Sequence, residues 1–168
     1  MGELTEIWME IGSYNRYAET KLAFFIGLVV AVLSVINSAS GQLPEPLALL
    51  RGGNSVVNNI GASISLAFAL LAVMPDLNPS RRLTWFIPKR KPDNVYFFIS
   101  IANYSTSNDW LAATGIKVSD DERPRAQMLA EQVYVNARIA ARKFHLLRYA
   151  LLVLSGGWCL SWLPACFL

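Results

Sequence analysis

Three stretches without one charged side chain, Leu22 to Ile36, Val56 to Pro75 and Leu151 to Leu168, constrain this chain more than any other feature. A bilayer-spanning helix needs about 20 mostly apolar residues, with roughly 17 to 25 as the working range. The second stretch meets that length as it stands. The first reaches it with Asn37, Ser38 and Ala39, and the third when counted from Leu146, which leaves Arg148 near its interfacial end. Three transmembrane helices are therefore expected. The composition agrees, because 54% hydrophobic and 16% charged residues are high and low for a soluble domain of 168 residues.

A cleaved secretory signal requires a short basic segment before its apolar run. Here some twenty residues precede the run, and Glu3, Glu6, Glu10 and Glu19 lie among them, so the first span reads as an uncleaved anchor. Twelve of the fifteen Lys and Arg lie between Arg81 and Arg148; Arg16 and Lys21 precede the first span, and Arg51 follows it. The positive-inside rule then keeps the N-terminus and the 77–147 region in the cytosol and sends the 38–55 loop and the C-terminus outside. That accounts for a net charge of +3 without a nucleic-acid polymer as partner.

The expected fold class is an all-α membrane protein: three transmembrane helices and a small, mainly helical cytosolic region, with the first and last helices extending into the cytosol. Its parts run 1–21 (cytosolic extension), 22–39 (span), 40–55 (external loop), 56–75 (span), 76–145 (cytosolic region) and 146–168 (span). Gly41, Pro44, Pro46, Gly52 and Gly53 mark the external loop. "RRLTWFIPKRKPDN" mixes cations with Trp85 and Phe86 and reads as an interfacial segment on lipid phosphates. "NVYFFISIANYS" fits a short strand or the start of a buried helix, which periodicity alone does not separate.

"STSNDWLAATG" predicts a short helix capped by Ser105 or Thr106 and stopped by Gly115. Asp120, Asp121 and Glu122 favour a helix start, and Pro124 is tolerated in a first turn. From there no strong breaker occurs before Gly156-Gly157, so one helix of about 30 or more residues runs from the cytosol into the third span.

Polar side chains gather where the first and last helices approach the bilayer. Gln132, Asn136 and Lys143 lie near one face of the last helix, beside the small residues Ala137, Ala140 and Ala141. The first helix offers Asn15 and Glu19 one turn apart, with Ala18 and Lys21. These groups can simply satisfy each other, Glu19 with Lys143 or Arg142 and Asn15 with Asn136, since a charge beside hydrocarbon is costly unless paired. Alternatively, amides that read a base edge and cations that hold a phosphate form a pocket, with Tyr96, Phe97 and Phe98 as a stacking face.

Catalysis has little support. His145 is the one histidine, and no metal-ligand spacing, P-loop or nucleophile elbow is present. Cys159 and Cys166 stand two turns apart on one helix, too far for an internal disulfide.

The ordered set "NRYAETK", "NVYFFISIA" and "QVYVNARIAARKFHLLRYAL" resembles the Pycsar membrane effectors of bacterial anti-phage defence. The family's recurrent positions match Asn15, Ala18 and Lys21 in the first piece, and Asn94 and Phe97 in the second. In the third they match Asn136, Ala137, Ala140 and Lys143. Glu19 departs from the Asp common at its position. The resemblance implies a non-enzymatic sensor and killer in one chain, in the bacterial inner membrane. A separate pyrimidine cyclase makes cyclic UMP or cyclic CMP, the effector's cytosolic face binds it, and membrane integrity fails.

The candidate binding set is Asn15, Glu19, Lys21, Asn94, Phe97, Gln132, Asn136 and Lys143; no cofactor or metal is implied. Three short spans cannot enclose a sizeable pore alone, so a homo-oligomer is expected. The competing class is a non-catalytic scaffold whose basic cytosolic segment binds anionic lipid or a protein. A transporter fits less well, because the first two spans carry no charge, only Asn58 and Asn59 near the outer end of the second.

Overall fold

The computed structural model describes residues 2–37, 55–74 and 94–162. The external loop as far as Asn54, the interfacial basic segment up to Asp93 and Cys166 lie outside the described residues. Within them the chain forms helices and no strand: α1 (Gly2–Asn37), α2 (Ser55–Val73), α3 (Phe98–Ala102), α4 (Ser107–Thr114) and α5 (Arg123–Trp162). Helices α1, α2 and α5 are each long and apolar enough to cross a membrane.

Local chemistry sets both ends of α4. Thr106 caps α4 by accepting a hydrogen bond from the Asp109 amide at 3.1 Å, and Gly115 ends it with φ at +69°, where a Cβ would be strained. The segment around Phe98, open between strand and helix by pattern, is helical. The acidic run Asp120–Glu122 forms the turn before α5. α5 is 40 residues long and continues through Gly156 and Gly157 to Trp162, beyond the stop that those glycines suggest.

The chain forms two compact units. The first comprises 1–20 and 75–145, and its core follows from two matching stripes. Leu4, Ile7 and Ile11 recur at heptad spacing on α1; Ala126, Ala130, Val133, Ala137 and Ala140 do so on α5. All are buried. Asn15 meets Asn136 and Glu19 meets Lys143, so residue numbers rise together and the two helices run parallel. Alanine on α5 lets the bulkier stripe of α1 approach closely, as a coiled-coil seam does.

Segment 94–116 covers one flank of that seam. Trp110 is fully buried and its indole Nε1–H donates to the Val95 carbonyl at 2.8 Å. Phe98 packs 5.0 Å from Tyr14 and 5.3 Å from Phe144, measured between ring centres. The Tyr134 hydroxyl donates to the Tyr104 carbonyl at 2.8 Å and fastens the turn between α3 and α4 to α5.

The second unit comprises 21–74 and 146–168. On α2 the buried positions Asn58, Ala62, Ser65, Ala69 and Ala72 also recur every three or four residues, and every one is small or polar. Outward, Phe24, Val30, Ile60, Leu71, Leu152 and Leu160 are exposed. On α2 the inward face is small or polar and the outward one apolar, a pattern a bilayer solvates, while α1 and α5 bury Leu22, Phe25, Val29 and Leu146 in the same unit.

Ser65 donates to the Ala150 carbonyl at 2.7 Å, a bond between α2 and α5. Gly61 and Gly157 face each other so closely that a Cβ on either would stand 3.3 Å from the other's Cα. Backbone contact here explains why α5 keeps its glycine mid-helix.

Candidate functional site

Opposite the flank covered by α3 and α4, the α1–α5 seam has an open side. At about 100° per residue, Trp8 and Tyr14 emerge on opposite sides of the Leu4–Ile7–Ile11 stripe. Tyr14 meets Phe97 and Phe98, while Trp8 lines a groove of about 360 Å³ with Met128, Glu131, Gln132, Val135 and Asn136. Gly12, one turn beyond Trp8, has no atom within 4 Å of where a Cβ would sit.

Along the same flank the polar groups of both helices meet. The Asn15 amide nitrogen donates to the Asn136 backbone carbonyl at 3.3 Å, so the bond reaches main chain rather than the other amide. Asn15 Oδ1 is shielded from solvent and accepts no hydrogen bond among the described residues. Lys143 Nζ donates to Glu19 Oε1 at 2.6 Å. The pair is lopsided: the Lys143 side chain is 12% exposed and that of Glu19 is 62% exposed.

Of the candidate residues, the structure thus brings Asn15, Glu19, Gln132, Asn136 and Lys143 to one flank. Asn94 and Phe97 stand apart from it. Asn94 accepts the Tyr96 amide at 2.9 Å in a local turn, and the Phe97 ring sits edge-on to Tyr14 at 6.4 Å. Lys21 belongs to the other unit.

Trp8 was not among the expected residues, although a signal existed: Trp8, Asn15 and Glu19 recur at i, i+7 and i+11, one helical face. Hydropathy hides it, because Trp8 falls in the polar stretch before the span.

The covered flank carries its own polar tethers. The Tyr96 hydroxyl donates to Glu3 at 3.2 Å, and this hydrogen bond, then the charge of Glu3, raises its pKa above the usual 10.0. Tyr14 is raised too, by burial first and then by Glu10, whose carboxylate it meets at 3.3 Å. Both phenols therefore stay protonated, and keep donating, beyond the pH at which a free tyrosine ionises.

Among the described residues no group of three His, Cys, Asp or Glu is placed to hold a metal ion, and the Cys159 thiol is free and exposed. What the flank offers is an aromatic face, three amides and a partly buried lysine paired with an exposed carboxylate. Groups of this kind supply stacking, hydrogen bonds and charge.

The model of one protein family, PycTM, the Pycsar effector protein domain, matches residues 4–168. No curated protein matches the chain, and no solved structure does.

Proposed function

The chain belongs to the Pycsar effector family and is a membrane effector of anti-phage defence, and on that premise we propose that its first unit binds a cyclic pyrimidine nucleotide, cyclic UMP or cyclic CMP, in the groove beside α1 and α5. The observation that carries this reading is the groove itself, about 360 Å³ with Trp8 on one wall and Gln132 and Asn136 on the other. That volume lies at the small end of ligand pockets. A pyrimidine stacks on an indole face, and a carboxamide offers both a donor and an acceptor to the base edge.

In this reading the groove faces the cytosol of the bacterial inner membrane, where a separate pyrimidine cyclase supplies the nucleotide. The ligand favours one packing of α1 against α5 over another by its differential affinity for the two. Both helices continue into membrane-spanning segments, so the shift impairs membrane integrity, with several copies assembled. The effector performs no catalysis of its own.

Calorimetric titration of the detergent-purified chain tests this. Cyclic UMP or cyclic CMP should bind saturably, and cyclic AMP should not. Trp8→Ala should weaken binding by about 10- to 100-fold, the worth of one stacked base, while leaving the helical circular dichroism intact. A folded preparation that binds neither pyrimidine nucleotide would sink the proposal. It would favour the second reading, a scaffold in which the Asn15–Asn136 and Glu19–Lys143 contacts are only helix glue.

A further inference from the structure

The second unit has a groove of its own, about 230 Å³, lined by Leu28 and Val32 of α1, Asn58 and Ala62 of α2, and Leu154 and Trp158 of α5. Leu28 and Trp158, 45% and 40% exposed, form its rims; Asn58 and Ala62, 7% and 1% exposed, form its floor. Five of the six residues are apolar and none is charged.

Asn58 is the exception. A carboxamide carries both donors and an acceptor, and leaving them unpaired in an apolar setting is costly. The other two described amides of this unit, Asn37 and Asn59, exchange hydrogen bonds with each other at 3.0 and 3.4 Å. The Asn58 carboxamide makes none among the described residues. It is more than nine-tenths buried and it lines the groove, so its partner has to come through the groove.

Depth and direction identify that partner. α2 has 19 residues and is about 28 Å long, close to the roughly 30 Å of bilayer hydrocarbon. Asn58 is its fourth residue, about 4–5 Å inside one edge, which a side-chain amide and one hydrogen bond cover. Gly61 faces Gly157 and Ser65 bonds to Ala150, so α2 and α5 are antiparallel and Trp158 stands at the same edge. An indole favours that level. From there Ala62 and Leu154 continue the groove toward the middle of the spans. Its volume lies below the roughly 300 Å³ at which drug-sized pockets begin, and suits a slim chain.

We infer that this groove seats one acyl chain of a phospholipid, with the Asn58 amide donating to the ester carbonyl at the bilayer edge and the chain running inward along Ala62 and Leu154. The lipid then completes the packing of three spans instead of only solvating them. Because no charged side chain lines the groove, headgroup identity should matter little. The inference is independent of the nucleotide reading, since it uses the other unit and other residues.

Native mass spectrometry of the full chain in mild detergent tests it. The probes are phosphatidylethanolamine and phosphatidylglycerol, each in an ester-linked and an ether-linked form. The native chain should hold one ester-linked lipid per copy, with either headgroup. It should bind the ether-linked forms about tenfold more weakly, the order expected when a buried donor loses its acceptor. Asn58→Leu keeps the size and removes the amide, so it should bind ester and ether forms alike. Ala62→Leu raises the floor and should weaken both.

Equal binding of ester and ether forms by the native chain would overturn the assignment, and so would an ester preference that survives in Asn58→Leu. Binding that follows headgroup charge would place the lipid elsewhere. Lipid-free dimers that Asn58→Leu dissociates would give the groove to a second copy. The ester–ether comparison on the native chain needs no variant, so it decides even if Asn58→Leu does not fold.

Discussion

Trp110→Ala is expected to destabilise the first unit by about 3–5 kcal/mol, the usual cost of deleting a large aromatic from a core. Trp110 is fully buried and is the largest side chain in that state among the described residues. Its loss also strands the Val95 carbonyl, which accepts the indole N–H at 2.8 Å. Amide hydrogen exchange in detergent would show the damage, with α3 and α4 losing protection before the α1–α5 pair. Trp110→Phe separates the causes. It keeps much of the packing and removes the hydrogen bond, so it should cost about 1–3 kcal/mol, the penalty of a buried acceptor left unpaired. Unchanged protection in Trp110→Ala would mean that segment 94–116 is held to the seam by something other than this ring.

The second large effect belongs to the other unit, where two glycines of different standing sit side by side. Gly61→Leu forces an isobutyl group into a space where a bare Cβ already stands 3.3 Å from the Gly157 Cα. The obstructing atom is backbone, so the α2–α5 crossing must open. A cost of about 3 kcal/mol or more is expected, at the upper end of overpacking. Thermal melting of the detergent-solubilised chain should show it as a lower midpoint and a smaller monodisperse fraction.

Gly156→Ala should do the reverse. A Cβ there meets nothing within 4 Å, so the substitution only relieves the entropic weakness of a mid-helix glycine, by about 0.5–1 kcal/mol. If both substitutions behave alike, the close approach of Gly61 and Gly157 is not what holds the crossing.

The readings that held depend on local physics. The uncharged stretches specify three long helices because the bilayer solvates residues one by one, whatever the partner. Thr106 and Gly115 bound α4 because a cap hydrogen bond and a left-handed turn are settled within a few residues. The meeting of Asn15 with Asn136 was legible because polar side chains beside an apolar boundary need partners; for Glu19 the same argument left Lys143 and Arg142 open, and the structure chose Lys143. Family membership also followed from motif order, and the family match extends over residues 4–168.

Tertiary structure decided the rest. Asn94 and Phe97 share motifs with the site, yet a side of the seam is a three-dimensional property, and the packing of Phe98 on Tyr14 draws that segment to the opposite flank. Trp8 became a candidate only once α5 supplied the facing wall of Gln132 and Asn136. Gly156 and Gly157 are indistinguishable as letters, and only the approach of Gly61 gives one of them a packing role. By itself the sequence determined which segments a membrane would accept and where α4 begins and ends, since those free energies are settled locally along the chain. It did not determine which face meets which neighbour, because that depends on side chains distant in sequence filling one shared volume.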